Sequence, residues 1–192
     1  MKNQFPIVGI VGAGAMGRGI AQIAAQAGSR VLLLDMQPDA AASARGSIQA
    51  QWQRLQDKGR ISGEQAQGWG NLLESVATIA DLAPCDLVIE AIVERLDAKQ
   101  ALFAQLEAVV GPHAVLATNT SSLAVTAIGA TLRRPERLAG FHFFNPVPLM
   151  KVVEVIAGLK TAPTVCESLS HYARQMGHTP VQAQDTPGFI VN

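Results

Sequence analysis

Residues 8–35, VGIVGAGAMGRGIAQIAAQAGSRVLLLD, limit the fold more than any other part of the 192-residue chain. An apolar run breaks at three closely spaced glycines, Gly12, Gly14 and Gly17, then resumes with helical spacing. A second apolar run follows and closes on a lone acid, Asp35. Within residues 15–27, Met16, Ile20, Ile23, Ala24 and Ala27 form one stripe, while Arg18, Gln22 and Gln26 share another face. Gly28 supplies a C-terminal stop. Strand, tight turn, amphipathic helix and strand in this order make a β-α-β unit.

The rest of the chain repeats the rhythm. Residues 6–11, 30–35, 86–92, 114–118 and 137–143 are short aliphatic runs, apolar on both faces, as in strands of a parallel sheet covered on both sides. Helical stretches separate them. One spans residues 95–110, with Leu96, Phe103, Leu106 and Val110 expected to face inward and Gly111-Pro112 ending it. A long polar helix is expected from Pro38 to about Gly59, and a shorter one over residues 63–73. After His142, a proline-rich turn leads to a strand around KVVEVI, a helix over residues 162–176 and a last short strand at TPVQA. The expected fold is α/β, a doubly wound, mostly parallel Rossmann-type sheet with two extra edge strands, for which antiparallel pairing is open. The whole chain, 1–192, is read as one domain.

Composition narrows the partners. Charged residues are 16% of the chain and balance to zero, so no field is present to recruit polyanions. Nucleic acid is not an expected partner. The apolar runs of 5 to 8 residues are far shorter than the ~20 that a spanning helix needs. No membrane partner and a cytoplasmic location are expected, since MKNQFPIVGIVGAG lacks the pattern of a signal peptide. Cys85 and Cys166 form no metal-ligand cluster and are read as buried thiols; no metal is expected.

The glycine seam explains itself through a ligand. A dinucleotide's pyrophosphate must approach the N-terminus of a helix, where backbone N–H groups and the helix dipole favour negative charge. In GAGAMG (Gly12, Ala13, Gly14, Ala15, Met16, Gly17), Gly12 permits the tight turn. Gly14 lets the backbone reach the phosphates, and Gly17 lets the helix lie close on the strand. A glycine-rich turn alone is weak evidence, and a plain turn is the competing reading. Here the acid that follows 18 residues after Gly17, at the end of the next strand, completes the fingerprint. A carboxylate at Asp35 would accept from the ribose hydroxyls and repel a 2′-phosphate, and Met36 and Gln37 offer no arginine to receive one. NAD is therefore expected over NADP.

A second set of residues stands in TNTSSL (118–123), GFHFFNPVPLMKVVEV (140–155) and DTPGFIVN (185–192). Alcohol oxidation needs a base for the hydroxyl proton, and His142 suits that task near neutral pH. Flanked by Phe141, Phe143 and Phe144, a histidine taken alone is more often a satisfied core residue. Glu154 lies between Val153 and Val155, where an unpaired buried charge would be costly, so it needs a partner. If the NPVP turn folds the two strands together, Glu154 can accept from one ring nitrogen of His142 and leave the other as the base. Pairing of Glu154 with Lys151, or exposure at an edge, is the alternative.

With these motifs in this order and spacing, together with EAIVE (90–94), the chain resembles the L-3-hydroxyacyl-CoA dehydrogenases over essentially its whole length. That family includes the 3-hydroxybutyryl-CoA and 3-hydroxyadipyl-CoA branches of bacterial acyl-CoA and phenylacetate breakdown. The resemblance implies His142 as general base, Glu154 as its orienting partner, and Ser121 as a hydrogen-bond donor to the substrate's 3-oxygen. For Ser121, a helix N-cap role before Leu123 is the competing reading. Asn192 matches an asparagine that polarises the thioester or 3-keto oxygen. Glu94 and Lys99 match contacts to the nicotinamide-side ribose, and Asn119 and Asn145 match polar groups near the nicotinamide. Their bland alternatives are an exposed helix pair and turn formation. Arg54 and Lys58, on the helix after Asp35, are possible CoA contacts or solvated charges.

The resemblance also implies an acyl-CoA substrate and a following all-helical domain that mediates homodimerisation and is absent from this chain. Residues 186–192 would begin the segment leading to it, with Phe189, Ile190 and Val191 exposed unless another segment covers them. Two other functions stay open on the residues: a dehydrogenase of another hydroxy acid, and a non-catalytic NAD-binding or redox-sensing module, or crystallin-like relative. An intact His142 and Glu154 pair argues against the second, because a binder needs only the glycine seam.

Overall fold

The computed structural model describes residues 3–186 and 189. All five aliphatic runs are strands: β1 (Ile7–Val11), β2 (Arg30–Leu34), β4 (Leu87–Glu90), β5 (Val115–Thr118) and β6 (Leu138–Phe143). The helices are α1 (Ala15–Gln26), α2 (Ala40–Asp57), α3 (Gly63–Leu72), α4 (Leu96–Val109), α5 (Val125–Gly129) and α6 (Pro163–Gln175). The remaining strands are β3 (Leu73–Ser75), β7 (Val152–Ala157) and β8 (Thr179–Gln184), with β3 and β8 at the two edges of the sheet.

The eight strands lie in the order β3-β2-β1-β4-β5-β6-β7-β8. From β3 to β6 all pairs are parallel, β7 runs antiparallel to β6, and β8 is parallel to β7. The chain winds outward from β1 to one edge and then from β4 to the other. The carboxyl ends of β1 and β4 therefore flank the crevice where open α/β sheets take ligands.

Alternate side chains of the strands feed two cores. Trp52, Phe141, Phe143 and Tyr172 pack with α1, α2 and α6 on one face, while Leu82, Leu102, Phe103, Leu106 and Ile128 pack with α4 and α5 on the other. Cys85 and Cys166 are both buried in these cores. Burial pushes the Cys85 thiol up to about 12. No helix among the described residues is long and apolar enough to cross a membrane. None of them form a group of three or more His, Cys, Asp or Glu able to hold a metal.

Three local expectations are corrected. The short helix expected near 63–73 is α3, but the chain then turns directly into β3, a strand not expected there, whose fully buried Leu73 pairs with Val31. A three-residue strand carries no period that a sequence could reveal. Leu96, expected to face inward, is exposed because it starts α4 beyond the strand ends, and Lys99 takes the inward place. Gln22, expected on the polar face of α1, is buried; it lines a cleft with Asn145 and Pro146, on the proline turn that lies over the helix.

Candidate active site

The glycine turn follows β1 directly. Gly12 has φ +104°, a left-handed conformation that side chains rarely adopt. A Cβ at Gly17 would run into the Gly12 carbonyl, so the closeness of α1 to the turn requires glycine there. Gly14 differs: a Cβ built on it meets nothing within 4 Å. It is the N-cap of α1 and makes no side-chain cap, and the first turn carries no acid. The helix N-terminus is thus left open to an anionic group, as a dinucleotide's pyrophosphate requires. Asp35 accepts from the Ala13 N–H at 2.7 Å and from the Gln37 N–H at 2.8 Å. The acid at the end of β2 therefore also fixes the turn after β1.

On the other side of the crevice, β6 and β7 face each other with His142 directly opposite Glu154. Nδ1 of His142 lies 2.7 Å from Oε2 of Glu154, and both side chains are buried. With the carboxylate as acceptor, Nδ1 carries the ring proton and Nε2 is left as the proton acceptor. Phe144 packs on the imidazole at a ring-centroid distance of 4.6 Å, and Phe189 at 5.9 Å. Phe189 is half-buried and covers the second core rather than standing exposed. Pairing of Glu154 with exposed Lys151 is ruled out by this geometry, as is exposure at an edge.

The loop after β5 lies between the two sides. The side-chain oxygen of Asn119 accepts from the Phe143 N–H at 2.9 Å, tying the ends of β5 and β6. Ser121 is half-buried and does not cap a helix. The N-cap of α5 is Ala124, and the Asp185 carboxylate accepts from the Val125 and Thr126 N–H groups instead. Glu94 gathers this loop: one oxygen accepts from the Thr120 hydroxyl at 2.5 Å and from the Ser121 and Ser122 N–H groups at 2.9 and 3.1 Å. Burial alone would raise the Glu94 pKa. The Thr120 hydroxyl, the Lys99 ammonium and the Ser121 N–H outweigh it and bring it down to about 2.

Glu94 and Lys99 are not an exposed helix pair, since Lys99 is buried and its ammonium lies 3.1 Å from Glu94. Its shorter contact, 2.6 Å, is to Glu90, a fully buried acid at the end of β4 that the sequence reading passed over. The signal was present: an acid closing the aliphatic run LVIE needs a partner as Glu154 does.

The structure thus brings Gly12, Ala13, Gly14, Ala15, Met16, Gly17, Asp35, Glu94, Lys99, Asn119, Ser121, His142 and Glu154 to one edge of the sheet, formed by the carboxyl ends of the parallel strands and the amino-terminal half of antiparallel β7. Asn145 is exposed on the proline turn, lining the cleft that holds Ala15 and Gly19. Arg54 and Lys58 are exposed at the C-terminal end of α2. Asn192 lies outside the described residues, as do Ile190 and Val191.

Residues 7–186 match the family model described as 3-hydroxyacyl-CoA dehydrogenase, NAD binding domain. The chain is 47% identical over 192 residues to the 3-hydroxyadipyl-CoA dehydrogenase of Escherichia coli (strain K12), covering 100% of this chain and 40% of that protein. It is 42% identical over 183 residues to a probable 3-hydroxybutyryl-CoA dehydrogenase of Bacillus subtilis (strain 168), covering 95% of this chain and 64% of that one. A crystal structure of 3-hydroxybutyryl-CoA dehydrogenase from Escherichia coli K12 superposes with a TM-score of 0.95 at 46% identity, over 97% of this chain and 40% of that one. The chain thus spans well under two thirds of two of these relatives and just under two thirds of the third.

Proposed function

The chain belongs to the 3-hydroxyacyl-CoA dehydrogenase family as its NAD-binding domain, and from that premise we propose that the protein interconverts 3-hydroxyacyl-CoA and 3-oxoacyl-CoA. The observation that carries the proposal is the buried ring-to-carboxylate bond between His142 and Glu154, set at the same edge of the sheet as the glycine turn. NAD, when bound, supplies the acceptor for the hydride that leaves C3 of the substrate.

The chain's own residues do the rest. His142 takes the 3-hydroxyl proton at Nε2, and Glu154 holds Nδ1–H and offsets the charge that the ring then gains. Ser121 donates to the 3-oxygen, and Asn192 to the thioester or 3-keto oxygen. Gly12 to Gly17 hold the pyrophosphate, Asp35 the adenosine ribose, Glu94 and Lys99 the second ribose, and Asn119 and Asn145 the nicotinamide amide region. Arg54 and Lys58 are the residues proposed for CoA. Assembly as a homodimer through a helical domain, a cytoplasmic location and a role in fatty acid β-oxidation or phenylacetate degradation complete the proposal.

Purified protein from the complete open reading frame, supplied with NADH, is expected to reduce acetoacetyl-CoA and not free acetoacetate. Absence of turnover, or equal turnover of the free acid, would reject the assignment.

A further inference from the structure

A second buried acid–base pair, Glu90 and Lys99, lies at the same edge of the sheet as His142. Glu90 closes β4 with its side chain fully buried. Its carboxylate accepts from Nζ of Lys99 at 2.6 Å, from the Ile92 N–H at 2.7 Å and, across to the end of β5, from the Thr118 hydroxyl at 2.7 Å. Stability is a weak reason for such a pair, since well-packed apolar residues of similar volume commonly do as well or better. The rest of β4, Leu87, Val88 and Ile89, is aliphatic and fully buried, so the acid is the exception in its strand.

What the pair does becomes visible one contact further on. Lys99, 1% exposed, reaches the second oxygen of Glu94 at 3.1 Å. Glu94 stands in a largely exposed stretch, 93–97, yet its other oxygen collects four donors from residues 120–122: Thr120 Oγ1, Ser121 N, Ser122 N and, at 3.2 Å, Ser122 Oγ. One carboxylate can hold that loop only if it is itself held. Lys99 is the cation that holds it, and Glu90 is the group that anchors Lys99 to the centre of the sheet.

We propose that Glu90 is a positioning residue, which acts through Lys99 and Glu94 to order the loop 120–122 and so to place Ser121. The inference rests on the reading of Ser121 as a group that meets the substrate. Replacing Glu90 by glutamine keeps the shape and an acceptor for Thr118 but removes the charge. The ammonium is then tied only to the partly exposed Glu94, and residues 120–122 lose their charged side-chain link to β4, the Asn119 N–H bond to the Glu90 carbonyl being kept.

Two measurements on the protein from its complete open reading frame test this. Amide hydrogen exchange at Ser121 and Ser122 is expected to quicken by about tenfold or more in Glu90→Gln, the usual scale for weakening a hydrogen bond to a charged group, while Val88 and Ala117 stay protected. In steady-state turnover, kcat is expected to fall by about tenfold, and Glu90→Gln added to Ser121→Ala is expected to cost less than about twofold more, because interacting sites are not additive. General structural damage would instead multiply the two losses. Should Glu90→Gln not fold, Glu90→Gln/Lys99→Met removes both charges together, which buried pairs tolerate better, and the same quickening of exchange at Ser121 and Ser122 is expected.

Unchanged exchange at Ser121 and Ser122, or losses in kcat that multiply, would overturn the inference while the wild type remains active. A wild type inert toward acetoacetyl-CoA would overturn the functional reading instead. The exchange rates would then still decide whether Glu90 orders the loop.

Discussion

His142 and Glu154 are direct cross-strand partners in the antiparallel pair β6 and β7, with Nδ1 2.7 Å from the carboxylate. The proline turn between them fixes the register, and a slip of one residue would move Glu154 to the opposite face. Glu154→Gln keeps a hydrogen-bond acceptor but removes the negative charge proposed to offset the ring once it takes the substrate proton. The loss of a charge-assisted bond should lower kcat by about 10- to 100-fold, read in steady-state assays with acetoacetyl-CoA and NADH. A kcat within about twofold of the wild type would mean that the carboxylate does not support the ring in turnover.

Gly14 and Gly17 should separate cofactor binding from folding. A methyl at Gly14 meets no protein atom, so Gly14→Ala is expected to keep its melting temperature within about 2 °C. Its NADH affinity, measured by fluorescence titration, should fall by about tenfold or more, because the methyl occupies the approach to the phosphates. Gly17→Ala forces a methyl against the Gly12 carbonyl and should cost about 1–3 kcal/mol, several degrees in melting temperature. The opposite ranking of the two variants in stability would show that the turn is not built around a ligand.

Asp35 holds the Ala13 N–H, and contact with the ribose is the second task proposed for it. Asp35→Ala should weaken NADH binding by roughly tenfold or more and narrow the preference for NADH over NADPH. An unchanged ratio of the two affinities would place the acid out of contact with the ribose.

Glu94 sets an acid limit to stability. A carboxyl whose pKa in the folded protein lies below its unfolded value adds stability above the unfolded value and loses it as pH falls toward the folded one. For Glu94 that window runs from 4.5 down to about 2. The melting temperature of the wild type should therefore fall more steeply across this range than that of Glu94→Gln. Parallel curves would mean that the Thr120, Ser121 and Lys99 contacts do not hold the carboxylate in solution.

What could be read before the fold was known followed from short-range physics. A run of apolar residues broken at Gly12, Gly14 and Gly17 and closed by Asp35 specifies a strand, a turn, a helix and a second strand without any distant contact. The need of Glu154 for a partner was legible because a lone acid in KVVEVI has few tolerable fates. Glu90 carried the same signal in LVIE, but its partner Lys99 stood in a stretch that reads as a helix surface. The burial of Lys99 arises only when α4 starts over the ends of β4 and β5, a tertiary fact. The replacement of Ser121 by Asp185 as the cap of α5 is similar, since the two are 64 residues apart. The three residues of β3 were hidden for a different reason, because a strand so short leaves no period.

The central claim is that His142 moves the substrate proton and does not hold the fold or the cofactor. Its most direct test is His142→Ala in the protein from the complete open reading frame, with kcat measured for acetoacetyl-CoA reduction and the NADH dissociation constant measured by fluorescence on the same preparation. The expected result is a kcat lower by about 10²- to 10⁴-fold with NADH affinity within about threefold of the wild type. A kcat close to the wild type, or a loss of NADH binding that matches the loss of turnover, would contradict it.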